Sequence, residues 1–561
     1  MEKSGLSFLT PISLWEDFTL ETNLQPNKVN EVRYDKITYS EYYFSGRQVE
    51  KGKRVRIFGV MATPDNMKNH GAILYVPDVS ESLNFEMITE YAKMGYIVLA
   101  VDLCGKTDNP EINCTDYPEK VAYANYAMRG NHMDMVEKTA KETCWYEWVC
   151  ASRYALSFLL SNKNIRHVGV VGLKEGANVA WTLCAIDGRI DCSVMLFGAG
   201  WSAYRGKFKY DEVSDIVLDE ERRKFVAAVD AHAYAKWVTC PVLYQTSTNN
   251  DRFDFDRSFN TLSRLPKNTP CSYNCAPAFN EYLDTACKKN VELFLKKHLE
   301  GKNITFPPPS KLAIKQEDKL FKIEVNCEDK EEVVGCNVYF NEGVVDPSLR
   351  NWNPCQPIDG EPFKFEYYLS GNTTKYFTFA VVKYKSGVTV TSVFTCKDAL
   401  PTVNKRSSII YSSKDGLEGI TFYDKNATID KSIYVDPKQF LTLVKGPNDI
   451  TGAYSHCGLI TYKFGEPGCE IDQNTIIKLD VFANEFCNLR LILMQKSPEE
   501  GIVEYVFSSE FKANKNLWQN LSVCVTDFKS ADGRSIKDFD GLYALRIEGD
   551  GKYVVNNILL I

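Results

Sequence analysis

The residues best placed to do chemistry in this 561-residue chain lie at one strand-to-helix junction, Val168-Gly169-Val170-Val171-Gly172-Leu173-Lys174-Glu175-Gly176-Ala177-Asn178. Gly172 and Gly176 bracket Lys174 with the spacing of a nucleophile elbow, in which small residues permit a sharp turn that lifts one side chain above a sheet. A serine at such a centre attacks an acyl carbon once an imidazole takes its proton. A lysine must first lose its own proton, which requires apolar burial or a neighbouring cation. Ser202, following Gly198-Ala199-Gly200-Trp201, is the one serine that stands out as a substitute nucleophile, and Trp201 is a candidate pocket wall.

The elements around the junction form a pattern. Apolar runs at Ala72–Val76, Tyr96–Val101, Val168–Val171, Val194–Phe197 and Val242–Gln245 alternate with helical spacing at Phe85–Lys93, Trp145–Leu160, Asn178–Ile186 and Thr285–Leu299. Continuous apolar strands separated by helices predict a mostly parallel sheet covered on both faces. Alternation through Tyr39–Phe44 and Val55–Val60 predicts an antiparallel meander leading into it. In an open parallel sheet, ligands gather at the carboxyl ends of the strands.

After Phe306-Pro307-Pro308-Pro309-Ser310 the helical signal nearly disappears. Three fixed φ angles make that stretch an extended spacer. Short strand-like runs over 319–397 predict an immunoglobulin-like sandwich. A softer break from Ala399 to Ser408 precedes further strand-like runs, which predict a jelly-roll, galactose-binding-like sandwich. The expected domains are residues 1–305, 311–398 and 405–561.

Several stretches resemble the α/β-hydrolases known as acetylxylan esterases or cephalosporin-C deacetylases, close to dienelactone hydrolases. The matching residues are Ser13-Leu14-Trp15, Gly59-Val60-Met61-Ala62-Thr63-Pro64, Trp145-Tyr146-Glu147-Trp148, the elbow, Gly198-Ala199-Gly200-Trp201, Cys240-Pro241-Val242-Leu243-Tyr244, Asn250-Asp251 and Lys297-His298-Leu299-Glu300-Gly301. The resemblance spans roughly residues 10–300 and implies an α/β-hydrolase fold with a Ser, Asp and His triad. Carried over by position, the serine falls on Lys174 and the acid on Asp251. The histidine falls on Glu281, in Cys275-Ala276-Pro277-Ala278-Phe279-Asn280-Glu281-Tyr282. Two of the three members have changed type, and two acidic neighbours would favour a protonated lysine. The oxyanion donors would be the Glu175 amide and one near Asp78 or Val79. The resemblance therefore implies an esterase-like protein that has lost catalysis, with a carbohydrate or small acylated ligand as its expected partner. An active hydrolase using Ser202, and a scaffold acting through its sandwiches, are the alternatives.

Composition narrows the field further. Sixty-six basic and seventy-three acidic residues leave a net charge of −7, without the clustered basic excess of a nucleic-acid binder. No apolar run is long enough for a membrane span. Residues 1–18 lack the apolar core of a signal peptide, and the 18 cysteines form no Cys-x-x-Cys framework, so reduced thiols in a cytoplasmic protein are expected. No histidine or cysteine spacing suggests zinc, and the glycines do not complete a dinucleotide fingerprint, so no metal or cofactor is expected. Trp518, Phe528, Phe539 and Tyr543 read as core more readily than as a sugar platform. Glu548 and Asp550 read as turn residues more readily than as calcium ligands.

Overall fold

The computed structural model describes every residue except 1–10, 21–22, 68–70, 205–206, 212–216, 251, 254, 278–280, 370–372, 401–407, 425–432 and 512–516. The expected break after Ala399 falls largely outside the described residues. The chain divides into two compact units. One comprises Met1–Thr246, Asn250–Cys275 and Cys287–Phe306, and the other Ser247–Asn249, Ala276–Ala286 and Pro307–Ile561.

The first unit opens with the meander: β1 (Asn27–Tyr34), β2 (Ile37–Glu50) and β3 (Lys53–Pro64), paired antiparallel. Asp35 and Lys36, at φ 48° and 62°, turn β1 into β2 with the double positive φ that matches strand twist. The parallel core follows as β4 (Gly71–Val76), β5 (Ile97–Val101), β6 (His167–Leu173), β7 (Cys192–Leu196) and β8 (Val242–Ser247), with β9 (Cys271–Ala276) beside β8. The order across the sheet is β1-β2-β3-β5-β4-β6-β7-β8-β9. From β4 the chain steps first to one side, to β5, and then to the other, to β6. The switch point thus lies between β4 and β6, where side chains at the strand ends face a crevice rather than a crossing connection.

The helices are α1 (Phe85–Lys93), α2 (Cys144–Leu160), α3 (Glu175–Ile186), α4 (Glu220–Ala228), α5 (Ala231–Tyr234), α6 (Phe255–Leu262) and α7 (Thr285–Leu299). Side-chain caps start several of them. Asn84 accepts the Glu86 amide at 2.9 Å, and Thr143 accepts the Tyr146 amide at 3.3 Å, so α2 begins one residue before the apolar pattern does. Helix α2 is buried along most of its length and carries Glu147 inward, where Arg47 grips both carboxylate oxygens. Burial pushes the Glu147 carboxyl up while Arg47 opposes that shift.

In the second unit, one sandwich packs a sheet of Lys311–Glu317, Leu320–Asn326, Glu361–Tyr368 and Gln356–Ile358 against a sheet built on Val333–Asn341 and Lys375–Tyr384. Phe321 from the first meets Phe340 from the second at 4.9 Å. A second pair of antiparallel sheets buries Leu479 and Val555 from one side with Leu491 and Leu545 from the other. Alternating inward apolar residues account for both sandwiches.

The β6–α3 junction is closely packed backbone against backbone. A Cβ on Gly176 would stand 2.0 Å from the Pro77 carbonyl oxygen, and one on Gly172 would stand 2.5 Å from the Ala177 Cα. Backbone cannot yield to such overlap as a flexible side chain can. Gly176→Ala is therefore expected to lower the melting temperature by about 6 °C or more, or to abolish soluble expression. Gly188→Ala, where an added Cβ meets nothing within 4 Å, serves as the control and should leave the melt within about 1 °C.

Candidate functional site

Lys174 occupies the turn between β6 and α3 at φ 54°, ψ −120°, a conformation that L-residues avoid. Its amide donates to the Leu196 carbonyl at 2.8 Å, and its carbonyl accepts the Ala177 amide at 3.0 Å, so both neighbouring elements hold the strained turn. The side chain is half-buried. The geometry is that of an elbow presenting one side chain at the switch point. The following loop is unusual as well: Phe197, Gly198, Ala199 and Gly200 all have positive φ, between 56° and 80°. Asn178 Oδ1 accepts the Ala199 amide, and Thr261 Oγ1 accepts the Gly200 amide at 3.0 Å.

Three charged residues cluster beside the β6–α3 turn. Glu175, in the first turn of α3, is almost fully buried, and so is Asp78 just past the end of β4. Arg252 joins them, with Nη2 donating to Glu175 Oε1 at 2.6 Å and Nη1 lying 3.5 Å from Asp78 Oδ2. The loop bearing Arg252 is pinned by Asn250 Oδ1, which accepts the amides of Arg252 at 3.0 Å and Phe253 at 2.8 Å. Burial, reinforced by the Asp78 charge, pushes the Glu175 carboxyl up to about 7, against the opposing pull of Arg252. Val79, beside Asp78, is fully buried.

The other residues singled out from the sequence are placed as follows. Asp251 lies outside the described residues. Glu281 is half-buried in the stretch before α7 and belongs to the second unit, whereas Lys174 belongs to the first. Ser202 donates through both its amide and its hydroxyl to Asp230 Oδ2, and Asp230 also caps α5 by accepting the His232 amide. Trp201 stacks on His232 with centroids 5.0 Å apart. The His232 ring nitrogen Nδ1 bonds Thr261 Oγ1 at 3.0 Å, and burial lowers the imidazole to about 4. The hydroxyl of the exposed Ser202 thus serves a carboxylate and has no imidazole partner among the described residues.

Five of the six histidines are described, and the other four besides His232 have their own neighbours. His132 stacks on Tyr123, His167 pairs with Asp191, His298 packs on Phe294 and His456 lies against Phe440. None of these contacts involves the elbow. In the second unit Phe528 and Tyr543 are buried, and Trp518 packs over Gly446 and donates to the Pro447 carbonyl. Asp550 is engaged by the Asn488 amide and side chain, and Glu548 by Arg546.

The sequence pattern did not single out Arg252, or the Asp78 side chain. A basic residue next to the expected acid at 251 was visible, but its ion-pair partners stand far off in the chain, at 78 and 175.

The sheet order, the switch point and the elbow define an α/β-hydrolase fold. Comparisons with known proteins find likenesses at low identity. The chain is similar to the acetyl xylan esterase from Paenibacillus sp. R4, at 15% identity and TM-score 0.38, covering 49% of this chain and 89% of that one. It is also similar to acetyl xylan esterase 1 from Thermoanaerobacterium sp. JW/SL YS485, at 15% identity and TM-score 0.37, covering 49% and 88%. A putative dienelactone hydrolase from Klebsiella pneumoniae matches at 13% identity and TM-score 0.32, covering 47% and 99%. No protein-family model matches the sequence, and the search of curated proteins finds no relative.

The raised Glu175 carboxyl makes a sign-specific prediction. A folded-state value near 7 against the ordinary 4.5 means that the folded chain binds more protons between those two pH values, so this group's contribution to stability falls as pH rises through that window. Glu175→Gln removes the dependence. Its melting temperature should exceed the parent's at pH 8, by about 2–4 °C, and the difference should shrink at pH 5.

Proposed function

We propose that this chain is an esterase-like α/β-hydrolase that no longer hydrolyses esters, and that its crevice binds a small acylated or carbohydrate ligand without turnover. The observation that carries the reading is Lys174 at the apex of an otherwise intact elbow. An elbow serine works because an imidazole accepts its proton and preorganised donors receive the oxyanion. Here the apex holds an amine, and no histidine contact among the described residues reaches it. Next to the donor position lie two buried carboxylates, Asp78 and Glu175, whose charge opposes an arriving oxyanion and is only partly offset by the shared Arg252.

The reading with Ser202 as nucleophile has less support, since that hydroxyl is committed to Asp230. A direct carboxylate partner polarises a hydroxyl but does not provide the imidazole shuttle that returns a proton to the leaving group.

Purified protein is expected to hydrolyse 4-nitrophenyl acetate no faster than its Lys174→Ala variant, and a fluorophosphonate probe should leave Ser202 unlabelled. Turnover above the Lys174→Ala control, or labelling of Ser202, refutes the proposal.

A further inference from the structure

A cavity of about 300 Å³ in the second unit has no part in the site above. Its walls include Asn353, Tyr367, Tyr411, Lys463 and Glu466. Glu466 is the residue that gives it chemical character. Only 8% of this residue is exposed, yet it carries a carboxylate. The side-chain amides of Asn351 and Asn353 both donate to its Oε1, at 2.8 and 2.6 Å. No described residue donates a hydrogen bond to its other oxygen, Oε2. Holding so little-exposed a carboxylate with donors on one oxygen only is costly, and a donor arriving through the cavity would offset that cost.

A second carboxylate worsens the cost. Glu342 is fully buried behind Glu466 and accepts the Tyr367 hydroxyl at 2.7 Å. Burial first, and then the Glu342 charge, push the Glu466 carboxyl up. The cavity lining adds Glu366, Asp415 and Glu418, so four carboxylates face a single ammonium, that of Lys463. Tyr368 extends the aromatic wall begun by Tyr367 and Tyr411.

We propose that this cavity binds a small organic cation bearing a primary ammonium group, anchored on Glu466 Oε2 and flanked by the tyrosine rings. An ammonium supplies the missing donors, offsets the acidic excess and is attracted to aromatic faces. A neutral sugar would leave that excess uncompensated. A divalent metal ion needs several oxygen ligands, and no group of three or more acidic, histidine or cysteine side chains suited to a metal is found among the described residues. The volume suits a ligand about the size of one hexose ring, at the small end of ligand cavities.

The test uses calorimetry on the full chain with glucosamine and 1,4-diaminobutane as cationic probes, and with glucose as a neutral match to glucosamine. Glucosamine should bind at least about tenfold more tightly than glucose, and Glu466→Gln should lose at least about tenfold of that affinity. Lys463→Met removes the internal competitor and should tighten binding of both amines by about threefold or more, which keeps the proposal testable if Glu466→Gln fails to fold. Failure of both amines to bind overturns the proposal. So does equal affinity for glucosamine and glucose, an unchanged affinity in folded Glu466→Gln, or calcium binding that displaces the amine.

Discussion

Steric exclusion at one backbone crossing underlies the arrangement of the first unit. The amino end of α3 can sit against the Pro77 carbonyl only because residue 176 has no side chain, and β6 can turn into α3 only because residue 172 has none. That contact brings the end of β4 and the start of α3 together, so Asp78 and Glu175 become neighbours. It also leaves the intervening residue, Lys174, at a positive φ that costs about 1–3 kcal/mol and persists only because packing on both sides over-determines it. The same strain that would lift a serine into attack position here lifts an amine.

Buried carboxylates recur through the molecule, and each is handled differently. Glu147 is matched by a two-pronged guanidinium, which supplies charge and geometry together. Asp78 and Glu175 share one guanidinium, and burial first, then the Asp78 charge, make Glu175 hold its proton more tightly. Glu466 has amide donors on one oxygen only, with Glu342 behind it. Full compensation produces a structural pair, whereas partial compensation leaves groups whose protonation or ligation still has free energy to gain. The elbow cluster and the cavity of the second unit both belong to the partly compensated kind.

Much of the architecture is legible in local pattern because local pattern reports burial. The helices over Phe85–Lys93 and Thr285–Leu299 coincide with their apolar spacing, and the parallel strands agree with their apolar runs to within two residues at either end. Helix α3 begins three residues earlier than the spacing at Asn178 indicates, because Gly176 and Ala177 carry no apolar signal and the turn at Lys174 sets the start. The meander at β2 and β3 follows from alternation of period two.

The amino-acid sequence by itself determined the α/β alternation, the passage to antiparallel sheets after Pro309, the elbow spacing and the lysine at its apex. Each is a property of neighbouring residues, where periodicity, fixed φ and missing side chains act over a few positions. Only the tertiary structure decided that Arg252 answers Glu175 and Asp78, that Ser202 answers Asp230, and that Glu466 stands before Glu342. These pairings join residues tens to more than a hundred positions apart. Coulomb attraction and hydrogen bonding depend on distance in space, which chain order does not encode until the sheet and the sandwiches have closed.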